Sequence, residues 1–383
     1  MTWMRNRRRA VASATAALAA LALLAGCSSG GGGTTPAPEP TVEAVDLLSL
    51  DELYAGTEGA PPASGPAAVT GANVWWISCG ESIPACSGPA AAAAEAAEVL
   101  GWDFHIADGA LNVGGGNATA IRTALAANPD ALVLHGISCE AVRQPLLEAK
   151  DQGVPVLALE GLDCADQPLF SAPMKYGEEF TTVEEYFQSW GYWDGSYIAA
   201  AYPEATIIEE RGSEPLFVEV AKGFDAVMKN CAHCTIVDTI SFTSPDQVPN
   251  GPLSQRLRAS LAANPTVNVV MMPVDSGIQT GGGAQDVAES GIDGLTIVGG
   301  TGGNPQMWEY LRDGIATMIT AHDVDWFSWA AVDNVNRVLA GEETVPQGLG
   351  IRAITLEANL PAVGEQYHSP VEWRAAYESV WKG

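Results

Sequence analysis

Two similar Rossmann-like α/β lobes, each a parallel sheet flanked by helices, are predicted by three observations. From residue 73 onward, short apolar runs alternate with longer amphipathic ones. The short runs are continuously apolar, as expected for parallel strands covered by helices on both faces. The alternation then repeats with the same grammar, and strands separated by helices of this length make right-handed βαβ units.

In the first series, NVWWIS (73–78) is a strand, and adjacent Trp75 and Trp76 must point to opposite faces of its sheet. An Ala-rich helix follows over 89–102, alanine being the strongest helix former. DFHIAD (103–108) is a strand, and 117–130 is a helix with Asn117 as its N-cap and Pro129 just past its end. ALVLHG (131–136) is a strand, 139–153 a helix and VPVLALEG (154–161) a strand. The second series places helices at 184–203, 217–230, 251–265, 282–291 and 304–314. Strands alternate with them at 205–212, 234–242, 267–275, 295–300 and 316–322. A helix at 327–343, a last strand at 350–360 and a C-terminal helix within 362–383 complete the chain. In open α/β sheets ligands sit outside the carboxyl ends of the strands, so two facing sheets place function in the cleft between them. Glycine runs at 114–116, 281–283 and 302–303 relieve crowding where strands turn into helices; no GxxxxGK[ST] phosphate loop is present.

The segment before this core has the order of a secretory signal over 1–26. Arg5, Arg7, Arg8 and Arg9 precede an apolar stretch from Ala10 to Ala25, and Leu24-Ala25-Gly26-Cys27 closes it. That ending resembles the bacterial lipobox. The resemblance implies that Cys27 is lipidated and that the protein is extracytoplasmic, touching the cell membrane only through its acyl anchor. Residues 27–72 read as the lipidated cysteine plus a flexible tether, rich in Gly, Ser, Thr and Pro, with a short helix within 45–56.

The formal charge is −28, and the signal holds four of the positive charges and no acid, so the rest carries −32 (−28 minus 4). Such a field repels nucleic acid and anionic headgroups, which excludes both as partners. Six cysteines remain after Cys27, and an even number in an exported chain suggests three disulfides. Cys79–Cys86, Cys139–Cys164 and Cys231–Cys234 is the preferred pairing of the fifteen connectivities available. Cys231-Ala-His-Cys234 follows a helix rather than opening one, which favours a structural staple over a reactive thiol pair. No second CxxC or His pair completes a zinc site, so no metal and no cofactor is implied.

Four local stretches carry a family likeness: GVPVLALE (153–160), NPTVNVVMMPVD (264–275), LTIVGGTGGNPQMWEYLRDGIATMITAH (295–322) and VLAGEE (338–343). In order, over roughly 73–361, they resemble the type I periplasmic binding proteins, in particular the ribose-binding branch that shares its core with LacI-type regulators. The resemblance implies two lobes joined by a three-strand hinge, lobe one over 73–184 and 323–350 and lobe two over 185–322 and 351–361. It also implies capture of a small-molecule ligand, sugar-like for this family, by hinge closure. Delivery to an ABC permease with a separate ATPase follows, with the binding protein acting as a monomer. Several family positions differ here. Ala85 and Cys86 stand where aromatics sandwich a sugar, Glu160 replaces an Asp, Gly161 an Arg, Val274 an Asn, Thr301 an Asp and His322 a Gln. Each missing buried partner costs about 1–3 kcal/mol, so a pentose in the usual pose is disfavoured.

The candidate ligand contacts are Glu81 and Ser82 in the loop after the first strand, His135 and Glu160 at strand ends, and Trp193 as a stacking ring. Arg211 could pair with an anionic group or with Glu160 across the closed cleft. Asp275 serves either as a contact or as the cap of the glycine-rich turn beyond it, and Thr301 and His322 stand at family ligand positions. A sensor presenting its closed form to a membrane receptor, or a binder of a non-sugar aromatic or cationic molecule, are the alternative functions. An enzyme is disfavoured because GxSxG, HExxH and P-loop motifs are missing. A DNA-binding regulator is excluded by the signal, the charge and the missing N-terminal DNA-binding helices.

Overall fold

The computed structural model describes residues 45–180 and 182–383. The signal and Cys27 therefore lie outside the described residues. Strands β1 (Asn73–Ser78), β2 (Asp103–Asp108), β3 (Ala131–His135) and β4 (Val156–Leu159) form a parallel sheet in the order β2-β1-β3-β4. A second sheet holds β5 (Ala205–Gly212), β6 (Cys234–Phe242), β7 (Val269–Met272), β8 (Thr296–Gly299), β9 (Ala316–Ala321) and β10 (Arg352–Ile354), in the order β10-β9-β8-β7-β5-β6. Among the described residues only β10 runs antiparallel, against β9. Every residue of β3, β4, β7 and β8 is buried, which is why their sequences are apolar but for His135 and Thr296.

Helices cover both sheets. The Ala-rich α2 (Pro84–Leu100) buries Ala90, Ala93, Ala96 and Ala97; these small side chains let it pack closely on α11 (Val324–Leu339). It begins five residues earlier than the sequence suggests because Pro84 supplies a ready first turn. Helix α3 (Gly116–Ala126) is capped by Gly115, with a φ of 78°, not by Asn117, which is buried in the first turn. Helix α4 (Arg143–Gln152) follows β3. In the second lobe α5 (Val183–Ala201) and α6 (Pro215–Met228) lie in close contact. A Cβ at Gly191 would collide with the Val220 carbonyl oxygen, and one at Gly223 with that of Gln188. Helices α7 (Pro252–Ala263), α8 (Asp275–Ile278), α9 (Gly283–Glu289) and α10 (Pro305–Arg312) complete this lobe. The expected last strand shortens to the three residues of β10 because the backbone turns at Thr355, whose N–H donates to the Ala358 carbonyl.

The structure corrects the tether reading for residues 45–72, which pack as a strap across both lobes. Helix α1 (Leu50–Ala55) has a Ser49–Glu52 capping box and buries Leu53 completely. On the second lobe, Trp193 Nε1 donates to the Leu53 carbonyl and the Tyr192 hydroxyl to that of Asp46. Next, Thr57 N–H donates to the Ile351 carbonyl at 3.0 Å and Gly59 N–H to that of Gly348 at 2.8 Å. Glu58, nearly fully buried, pairs with Arg352 at 3.0 Å and accepts from the Tyr367 hydroxyl at 2.6 Å. The strap then reaches the first lobe, where Arg337 donates to the Ser64 carbonyl and Val69 N–H to Asn336 Oδ1. The C-terminal α12 (Trp373–Lys382) seals this region by stacking Trp373 and Trp381 against Trp326 and Trp329. The disulfides among the described residues are Cys79–Cys86, Cys139–Cys164 and Cys231–Cys234. Among the described residues no helix is long and apolar enough to cross a membrane.

Candidate functional site

The carboxyl ends of both sheets face one cleft. The first sheet contributes His135, the last residue of β3, and Glu160, directly after β4. The second contributes Asp275 beyond β7, Thr301 beyond β8 and His322 directly after β9. These five residues line one half of the cleft together with Phe327. Glu160, Asp275 and Thr301 also border the other half, about 280 Å³, which adds Trp190, Glu214 and Gln247. That volume suits a small monomeric ligand, near the lower end of the usual pocket range of about 300–1,000 Å³.

Glu160 is held in a left-handed backbone conformation, φ 58°, which is rare for a residue with a side chain and clusters at functional sites. Its N–H donates to the Tyr176 hydroxyl at 3.1 Å, fixing the turn. Its carboxylate lies 3.4 Å from His135 Nε2. Burial pushes the Glu160 carboxyl up, but the His135 hydrogen bond and the His135 and His322 charges outweigh it and hold it below the usual range. The other His135 nitrogen approaches Cys79 Sγ at 3.7 Å, and the ring packs on Trp76. The Cys79–Cys86 disulfide therefore backs the histidine that orients Glu160.

His322 lies between two rings, with centroids 4.4 Å from Phe327 and 5.6 Å from Trp190, both stacked. Burial pushes its pKa down, against the opposing Glu160 and Asp323 charges, which favours the neutral imidazole. Of the two roles the sequence leaves open for Asp275, the structure shows the cap. Its Oδ1 accepts from Thr301 N–H at 2.7 Å and its Oδ2 from Gly303 N–H at 3.0 Å, so it caps the turn. It also lines both halves of the cleft, and burial pushes its carboxyl up to about 7. Gly302 and Gly303, at φ 86° and 77°, give the turn the left-handed backbone that aims both N–H groups at Asp275.

The other sequence candidates lie elsewhere. Glu81 and Ser82 do not line the cleft; Glu81 N–H is spent on Asp108 Oδ1, and Ile83, Pro84 and Ala85 reach the cavity instead. Trp193 is fully buried beneath α1, and Trp190, three residues earlier, is the cleft tryptophan. Arg211 is held by Glu209 and Asp225, each at 2.7 Å, and faces neither Glu160 nor the cavity. Phe327, Glu214 and Gln366 line the cleft without having been singled out. Phe327 sits just beyond His322 and was legible as a crossover residue, whereas nothing in its local sequence marks Gln366.

A family model described as periplasmic binding protein domain matches residues 74–343, most of the chain. The chain belongs to this family. Among solved structures, it is similar to the periplasmic binding protein component of the arabinose ABC transporter from Shewanella sp. ANA-3, at 19% identity and a TM-score of 0.61, covering 74% of this chain and 92% of that one. The Caulobacter myo-inositol binding protein gives 15% identity and a TM-score of 0.63, covering 76% and 95%. The periplasmic ribose ABC transporter protein from Conexibacter woesei gives 20% and 0.59, covering 77% and 95%. At these identities the likeness establishes the fold, two α/β lobes of type I architecture. No curated protein matches the chain.

Proposed function

We propose that this periplasmic binding protein is a lipid-anchored, extracytoplasmic solute-binding component of an ABC importer. It captures a small polar ligand between its lobes and presents the closed form to a permease driven by a separate ATPase. One observation carries this reading: polar side chains from both lobes, His135 and Glu160 on one side and Asp275 and Thr301 on the other, border a single cleft. A ligand bridging them binds the closed form better than the open one and so shifts the population toward closure. A micromolar affinity needs about −8 kcal/mol, which several buried hydrogen bonds and one apolar ring wall supply. The similar structures bound to arabinofuranose or myo-inositol support a small polyhydroxylated ring as the ligand type. Cys27 anchors the chain, and the function is binding rather than catalysis.

The test is a thermal-shift panel of the purified protein against sugars, polyols, amino acids, polyamines and aromatic acids. A ligand that binds only the folded state raises the melting temperature by mass action. A concentration-dependent rise with one chemical class supports the reading; no rise with any class, on folded protein, contradicts it.

A further inference from the structure

The cleft is charged asymmetrically. Among the described residues, its lining includes Glu160, Glu214 and Asp275 but no lysine and no arginine. Arginines of the second lobe are engaged with carboxylates of their own: Arg211 with Glu209 and Asp225, Arg256 with Asp246, and Arg258 with Asp286. A carboxylate or phosphate ligand would shed its water beside three carboxyl groups with no cation to receive it, a strongly unfavourable exchange.

Among the described residues, the unpartnered side-chain atoms of the lining are mostly acceptors, Glu214 Oε2 and Asn117 Oδ1 against the single donor Trp190 Nε1. Glu214 Oε1 accepts from Ser244 N–H at 2.6 Å, while its Oε2 is buried with no hydrogen-bond partner among the described residues. His322 is 6% exposed and lines the cleft, yet no hydrogen bond reaches its ring among the described residues. A neutral imidazole has one nitrogen free to accept. Unused acceptors and carboxyl groups with no lysine or arginine beside them, next to the Trp190 and Phe327 rings, are complementary to a ring bearing several N–H or O–H donors and a positive charge.

We infer that the ligand is an aminated, hydroxyl-bearing ring, a hexosamine-type cation, with its ammonium seated among Glu160, Glu214 and Asp275. This rests on the reading of the cleft as the ligand site and narrows it to one chemical class. The charge-assisted bonds from the ammonium are stronger than those from a neutral hydroxyl in the same place.

The experiment is calorimetric titration of the purified protein with matched triads: glucose, glucosamine and glucuronate, then galactose, galactosamine and galacturonate. The amine of one triad is expected to bind at least tenfold tighter than its neutral parent, and neither uronate is expected to bind. Glu214→Gln keeps an acceptor for Ser244 and removes the charge, so it should reduce the amine-to-neutral affinity ratio severalfold. Glu160→Gln, measured in parallel, is expected to reduce the same ratio. A neutral parent binding as tightly as the amine overturns the inference and leaves the solute-binding reading intact, as does a uronate binding tightest. A ratio unchanged in both variants also overturns it. Absence of binding by all six compounds overturns the hexosamine assignment, and the wider thermal-shift panel then decides the solute-binding reading separately.

Discussion

Replacing Glu210 with glutamine is expected to remove much of a pH-dependent loss of stability. Glu210 lies on β5, is 1% exposed, and neither carboxylate oxygen has a hydrogen-bond partner among the described residues. Burial pushes its carboxyl from 4.5 up to about 8; the Asp286 charge adds to the rise and Arg256 opposes it. One pKa unit corresponds to about 1.4 kcal/mol, so ionising Glu210 inside the fold costs on the order of 5 kcal/mol. The folded-state value lies above the unfolded one. The stability tied to the protonated form is therefore fully present below 4.5 and is lost as the pH rises through about 8. Asp194, pushed up to about 8, and Asp275, pushed up to about 7, act in the same direction and remain in the variant. Urea denaturation of the parent and of Glu210→Gln at pH about 5 and about 9 isolates the single group. The parent should lose about 3–4 kcal/mol more than the variant between the two conditions. Identical losses in the two proteins would refute the argument, because Glu210 would then titrate alike in the folded and unfolded chains.

Three further outcomes follow from the packing. Trp193→Phe should lower the melting temperature while leaving ligand affinity within about twofold, whereas Trp190→Ala should weaken binding by about tenfold, a loss of about 1.4 kcal/mol; calorimetry and thermal melts separate the two. Glu58→Ala strands Arg352 beneath the strap, and breaking a buried pair in this way costs about 3–5 kcal/mol; an unchanged melt would mean that the strap is not packed in solution. Gly191→Ala forces α5 away from the Val220 carbonyl and should destabilise by about 1–3 kcal/mol, read from chemical denaturation.

The parts of the fold legible in the sequence are those fixed by local pattern. VVMM on β7 and VLAL on β4 are apolar because both sheet faces are covered, and no long-range knowledge is needed to read them. Glu160, His135 and Asp275 were legible because strand ends point at the cleft, and Thr301 and His322 through the family resemblance. Several misreadings trace to a partner that folding brings in from elsewhere in the chain. Residues 57–69 look like a tether because the groups that hold them, Asn336, Arg337 and Ile351, lie at the other end of the chain. Arg211 looks available until folding brings Asp225 alongside it, and Trp193 looks like a ligand platform until α1 covers it. Gln366 enters the cleft from a segment with no periodic signature.

The most direct test of the central claim is calorimetric titration of the parent and of Glu160→Ala with whichever compound raises the melting temperature. Glu160 stands at the carboxyl end of β4, in the cleft, in a strained backbone conformation and oriented by His135. The account predicts at least a tenfold loss of affinity in the variant, about 1.4 kcal/mol or more, with the fold intact by circular dichroism. Equal affinity in the two proteins would place the ligand outside this cleft and contradict it.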